Sequence, residues 1–239
     1  MKTPFRYQVT ESDCVPTTII NALLYLFDRE EFPQDVLQKI SNYSLNSVNS
    51  KGEIGKDGTY TDAIITILNF INSYKKKKFA CKYEALNEKQ IHLRQGNKII
   101  KCINGGGVAI LVVCMDNTDY NTHVILAIGQ DYKKSSLLFF DPYYREKKKF
   151  YGESLDTIEW LGNDYIDKIT ERPTGQNPNL RVSYQRLNSY KCEKYSMGPK
   201  HIRECYLLWR IPPKQKPIQE RWKLENETGF NYKKRSKKQ

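Results

Sequence analysis

Apolar residues recur with a helical period through the first part of the chain. Between residues 14 and 28 they form a stripe so broad that a helix there is expected to be buried on most sides. Residues 32–40 and 61–74 repeat the period, and residues 86–95 show a shorter version of it. The pattern therefore predicts three helices and a short fourth one.

From about residue 105 the pattern changes to short, β-branched-rich apolar runs separated by polar turns. These runs cover residues 105–115, 122–130 and 135–141, and residues 205–211 resemble them. Residues 143–152 alternate less clearly and are a candidate outer strand. Helices followed by strands predict an α+β fold, with the helices packed on one side of an antiparallel sheet.

Polar residues mark the start of the first helix and one long loop. Asp13 is of a type favoured at the N-cap, and Pro16 lies in the first turn, where its missing N–H costs nothing. Residues 44–59 are polar and contain glycine, which predicts a loop.

The 239-residue chain has enough hydrophobic and aromatic residues for a packed core, at 39% and 12% of the total. No stretch approaches the roughly 18 apolar residues that span a bilayer. The first 14 residues lack the charged-then-apolar pattern of a signal peptide. Six cysteines are scattered without a tight framework, as is usual in a reducing compartment. We therefore expect a cytoplasmic protein with no transmembrane segment.

The net charge of +12 is concentrated near the end of the sequence. Residues 212–239 hold nine Lys or Arg and three Glu, and lysine runs occupy residues 75–78 and 147–149. Such runs are usually solvated faces or tails. A nucleic-acid-binding module is the competing interpretation, but it would interleave aromatic with basic residues. We expect no nucleic-acid partner, and an acidic peptide or protein is the partner that the charge favours.

Three residues stand in the order required for a cysteine nucleophile. Cys14 lies at a helix start, where a thiolate is favoured by the helix dipole. His123 lies in an apolar strand, and Asp141 ends the next strand. In such a set the thiolate attacks, the imidazole moves the proton and the carboxylate orients the imidazole. The structural alternatives are a core thiol, a strand histidine and a turn-starting aspartate.

Gln8 lies six residues before Cys14. A side-chain amide beside the nucleophile's backbone N–H can stabilise the oxyanion that forms during attack on a carbonyl group. We therefore expect Gln8 to be an oxyanion donor, the alternative being a plain surface residue.

The order and spacing of eight positions resemble one known family. The positions are Gln8, Cys14, Pro16, Thr17, His123, Gly129, Asp141 and Pro142. They resemble the double-glycine leader peptidases, which are bacteriocin-processing cysteine peptidases with stand-alone relatives. The resemblance covers about residues 5–150, and it implies a papain-like fold in which Cys14, His123 and Asp141 form the catalytic triad and Gln8 the oxyanion donor.

One residue departs from the family pattern beside the nucleophile. Val15 stands where the family commonly has glycine, and its β-branched side chain is expected either to narrow the cleft or to alter the backbone donor. We expect residues 1–211 to form a single papain-like domain. Within it residues 160–211 match no known unit, and residues 212–239 are expected to be a flexible basic tail.

The expected function is that of a thiol hydrolase that cleaves a peptide bond in a peptide or protein substrate, such as a leader or precursor peptide. An acyltransferase that uses the same acyl-thioester, and a member that binds peptides without cutting them, are the open alternatives. No cofactor is expected, because a zinc site formed by Cys192, His201 and Cys205 lacks a CxxC pair and a fourth ligand. The sequence does not indicate an oligomeric state.

Overall fold

A computed structural model describes most of the chain. The described residues are 1–45, 51–53, 58–76, 78–144, 156–162 and 175–212. Within them the α-helices are α1 (Cys14–Leu26), α2 (Gln34–Leu45), α3 (Thr61–Ser73), α4 (Lys98–Asn104) and α5 (Tyr184–Leu187). The first three occupy the positions that the helical period predicts.

Eight strands of the described residues form one sheet. They are β1 (Lys75–Lys76), β2 (Phe79–Asn87), β3 (Val108–Cys114), β4 (Thr122–Asp131), β5 (Ser136–Phe140), β6 (Ile158–Trp160), β7 (Leu180–Ser183) and β8 (Glu204–Arg210). Their order across the sheet is β1-β2-β8-β3-β4-β5-β7-β6, and every paired neighbour is antiparallel. The chain therefore has an α+β fold, in which β8 lies between strands from much earlier in the sequence.

Side chains alternate between two apolar cores on the two faces of the sheet. In β3, Val108 and Ile110 pack with helices α1 to α3, whereas Ala109 and Leu111 pack with α4 on the opposite face. The N-terminal helices α1 to α3 thus lie on one face of the sheet, as expected, whereas the unpredicted helix α4 lies on the other. Because β3 is buried on both faces, it reads as a continuous apolar run rather than as an alternating one.

The short helix expected at residues 86–95 is also wrong. Leu86 and Asn87 end strand β2, a 3-10 helix of Glu88–Gln90 follows, and the fourth α-helix is α4 instead. Strand β2 pairs with β8 along its length, from Cys81 to Asn87. These ladder hydrogen bonds override the weak local helical pattern.

Some expectations fall partly or wholly outside the described residues. They are the candidate outer strand at residues 143–152, the middle of the loop at residues 44–59, and the basic tail at residues 212–239. None of the helices in the described ranges has the length and apolar character needed to cross a membrane.

Hydrogen bonds join helix α1 to strand β4 and to the segment that precedes Cys14. The buried Thr18 hydroxyl donates a hydrogen bond to the Val124 carbonyl of strand β4, at 3.0 Å. The side chain of Asn21 accepts from the Arg6 N–H at 2.8 Å and donates to the Arg6 carbonyl at 2.9 Å. Helix α1 thus holds the segment before Cys14 and the strand that carries His123.

Val15 belongs to the core and does not line the cleft. Its side chain is 3% exposed and packs in the apolar core between α1 to α3 and the sheet. A buried side chain cannot narrow an open cleft, so the expectation of a narrowed cleft is wrong. Substitution here acts on stability, because it removes buried apolar surface.

We expect Val15→Gly to lower the free energy of unfolding by about 3 kcal/mol, from lost burial and from glycine's entropy in a helix. Urea denaturation followed by circular dichroism measures this change. Val9→Gly is the matched control, because Val9 is 91% exposed and should lose little stability. A loss no larger at Val15 than at Val9 would contradict the burial of Val15.

Candidate active site

Cys14 is the first residue of helix α1, and the turn before it is folded around Asp13. The Asp13 carboxylate accepts from the backbone N–H groups of Val9 and Thr10, at 3.0 and 2.9 Å. Asp13 occupies the N-cap position but makes no side-chain capping bond to the helix. The carboxylate therefore fixes the turn between Gln8 and Cys14, and the positive end of the helix dipole remains beside the thiol.

His123 is buried in strand β4 and bonded on two sides. Its Nε2 lies 2.7 Å from Asp141 Oδ1, and Cys14 is its second side-chain hydrogen-bonding partner. Because Asp141 occupies Nε2, Nδ1 is the ring nitrogen left for the thiol. The structure thus brings together Cys14, His123 and Asp141, which are far apart in the sequence.

Asp141 follows strand β5 and has no exposed surface. Its carboxylate accepts from the Tyr195 hydroxyl at 2.5 Å and from the Tyr143 N–H at 2.8 Å, besides contacting His123. The Asn179 side chain clamps its backbone, accepting from the Asp141 N–H at 2.7 Å and donating to its carbonyl at 2.9 Å. A carboxylate held in this way keeps its orientation toward the imidazole.

The sequence interpretation missed Tyr195 and Asn179. Both lie more than 35 positions after Asp141, in a part of the chain that matches no family pattern. Tyr195 is fully buried and has a positive φ of 59°, which non-glycine residues adopt only rarely. No local sequence signal marks either residue, because their role arises from the tertiary fold.

The charge of His123 is set by its partners. Burial alone lowers the pKa of a histidine, but the Asp141 carboxylate and the Cys14 side chain outweigh it and raise the pKa of His123 to about 10. The imidazole is therefore protonated at neutral pH. A protonated imidazole in this position can donate a proton to a leaving group.

This charge state predicts an unusual titration. We expect the His123 ring to keep both protons at pH 8, because its pKa is raised, while burial and nearby cations lower the pKa of His92. Ring nitrogen shifts from NMR measure both titrations, and His123→Gln assigns the signal. A His123 midpoint below pH 7 would contradict the charge state derived from the geometry.

Four of the other cysteines lie in surroundings that suppress the thiolate. Burial raises the pKa of Cys81 and of Cys114 to about 12 and that of Cys102 to about 11, and it raises the pKa of Cys205 well above its usual value. In the described part of the chain, no group of three His, Cys, Asp or Glu side chains is placed to hold a metal ion.

Gln8 lies beside the same site through its backbone. Its N–H donates to the Pro142 carbonyl at 2.9 Å, next to Asp141. Its side-chain Nε2 donates to the Thr10 carbonyl at 2.9 Å, and its Oε1 is buried with no hydrogen-bond partner among the described residues. The amide nitrogen is thus hydrogen-bonded within its own turn, and the oxyanion-donor role of Gln8 stays a prediction.

The fold and the site together define an α+β protein with a cysteine, a histidine and a buried aspartate in series. Comparison with protein-family models, with curated proteins and with solved structures finds no match to this chain.

Proposed function

We propose that this protein is a papain-like cysteine peptidase, a thiol hydrolase that cleaves a peptide bond. The observation that carries the proposal is the position of His123, which is bonded to Cys14 on one side and to the buried Asp141 on the other. Cysteine, histidine and a carboxylate in this order are the parts of a nucleophilic acyl-transfer site. The sequence resemblance to the double-glycine leader peptidases points to the same chemistry.

The proposed reaction begins when the Cys14 thiolate attacks the carbonyl carbon of the peptide bond. A carbon–sulfur bond forms, and the carbonyl oxygen becomes an oxyanion near the Cys14 N–H and the Gln8 amide. The His123 imidazolium gives a proton to the departing nitrogen, the carbon–nitrogen bond breaks, and an acyl-thioester remains on Cys14.

Hydrolysis of the acyl-thioester completes the proposed cycle. Neutral His123 takes a proton from a water molecule as that water attacks the thioester carbon, and the carboxylic acid product leaves as the Cys14 thiolate re-forms. Asp141 does not change its charge in either step. It holds the imidazole ring in place and stabilises its cationic form.

The proposal is tested with a library of peptides incubated with the full chain and analysed by mass spectrometry. We expect pairs of fragments whose summed mass equals that of the parent peptide plus one water, and no fragments with Cys14→Ala. Peptides joined to an added amine would instead indicate an acyltransferase. Absence of any cleavage, together with tight peptide binding, would contradict the hydrolase proposal.

A further inference from the structure

A basic cavity lies at one end of the strands of the sheet, between residues 88–98 and residues 190–203. Its volume is about 880 Å³. The charged side chains that line it are five permanent cations and one carboxylate, namely Lys89, Arg94, Lys98, Lys200, Arg203 and Glu88. A concave surface with this excess of one sign concentrates ligands of the opposite charge.

The carboxylates of Glu88 and Glu84 balance only part of the positive charge of the basic cavity. Lys98 pairs with Glu84, but the buried Arg203 donates its hydrogen bonds to backbone carbonyls, such as those of Gly198 and Ile91 at 2.8 Å. The remaining positive charge changes the pKa of a neighbouring histidine. Besides burial, Arg203, Arg94 and Lys200 lower the pKa of His92, which lines the same cavity.

The basic cavity and the candidate active site lie at the same end of the strands. Strand β2 ends at Asn87 opposite Glu204, where β8 begins, and β3 ends beside His123 near the start of β4. In the order β2-β8-β3-β4, three strand spacings of about 4.8 Å, roughly 14 Å, separate the end of β2, which precedes the cavity residues 88–98, from the start of β4, which carries His123. An extended peptide covers that distance with about four residues.

A second concavity adjoins the basic cavity. Its volume is about 780 Å³, and it is lined by residues 117–120, just before strand β4, and by residues 190–193. Tyr190 lines both this concavity and the basic cavity. The two concavities therefore meet at Tyr190, and the second one reaches residues 117–120, which shortly precede the strand that carries His123.

We propose that the basic cavity binds an acidic segment of the peptide substrate, about four or more residues from the bond that is cut. This inference rests on the proposed function, because it assigns the cavity to the substrate of Cys14. The contacts are those of Arg94, Lys200 and Lys89 with Asp or Glu carboxylates of the substrate.

The lining favours an acidic peptide over a nucleic acid. Single-stranded nucleic acids bind basic grooves whose aromatic side chains stack on the bases. Tyr190 is the one Phe, Tyr or Trp in the basic cavity, and its ring is already stacked with Arg203 at 5.0 Å and Lys200 at 5.3 Å. Binding of a carboxylate requires only a cation and no stacking surface, and the side chains of Arg94 and Lys200 are exposed.

The test is binding of a fluorescein-labelled hexaglutamate peptide to the full chain carrying Cys14→Ala, measured by fluorescence anisotropy. We expect Arg94→Glu and Lys200→Glu each to weaken binding by about fivefold or more, with the effect shrinking as salt is added. Lys133→Glu is the matched control, because it changes the net charge by the same amount. Lys133 is exposed in the turn after β4, at the opposite end of the strands. We expect it to change binding less than twofold.

Equal weakening by all three variants, or by none, would overturn the proposal, because binding would then follow total charge or another surface. Tighter binding of a labelled oligothymidine that is lost in the same two cavity variants would also overturn it and assign the cavity to nucleic acid. The assay does not use the Cys14 thiol. A failure here is therefore separate from a failure of the peptidase proposal, which the cleavage of the peptide library tests.

Discussion

Cys14→Ala and His123→Ala are each expected to reduce cleavage of a library-derived peptide by about five to six orders of magnitude. The double variant should be little worse than either single one, because the thiolate and the imidazole act as one unit. The measurement is the initial rate of fragment formation under saturating and subsaturating peptide. Peptide binding should change little, since neither substitution removes a large contact surface.

Matched controls separate this loss from general damage to the fold. Cys102→Ala and His201→Ala remove the same groups outside the site and outside both concavities, and His201 is exposed. Both controls should retain nearly full rates, and thermal unfolding should show that all four variants are folded. Substantial activity in His123→Ala would contradict the role given to its contacts with Cys14 and Asp141.

Gln8→Ala has the second largest expected effect. We expect the turnover rate to fall by about two to three orders of magnitude while KM changes little, because an oxyanion donor acts mainly in the transition state. Gln8→Ala removes the side-chain bond to Thr10, but the Asp13 carboxylate and the backbone bond to Pro142 still hold the turn, so it should persist. Gln8→Glu is a useful comparison, since it keeps the size but places an acceptor and a negative charge near the oxyanion. A fully active Gln8→Ala would remove the donor assignment.

Elements with a strong apolar period could be predicted from the sequence. Helices α1 and α3 and strands β3, β4 and β5 each carry most of their burial in a run that is apolar in the sequence itself. In these elements the apolar positions of the sequence are the positions that the fold buries. The general α+β class follows from their order along the chain.

Elements whose structure depends on distant partners could not be predicted. Strand β2 mixes exposed and buried residues and is ordered by pairing with β8, which lies more than a hundred positions later. Helix α4 has only seven residues, too few for a clear period. Its place on the opposite face of the sheet follows from the packing of the second apolar core, which no local pattern reveals.

The candidate site divides in the same way. Cys14, His123 and Asp141 can be predicted from the sequence, because each stands beside a strong local signal, either a helix start or an apolar strand. Tyr195 and Asn179 hold Asp141 from segments without such a signal. Val15 shows the reverse error, since a family pattern placed it by the cleft although its apolar side chain is buried in the core.

The central claim is that His123 activates Cys14, and the most direct measurement is iodoacetamide alkylation at about pH 6, with mass mapping of all six cysteines. Ordinary thiols are almost wholly protonated at that pH, and burial raises the pKa of Cys81, Cys102 and Cys114 further. The account predicts that Cys14 is modified first in the unaltered protein and loses this advantage in His123→Ala. Equal labelling of Cys14 and Cys192, or a Cys14 rate that is unchanged by His123→Ala, would contradict it.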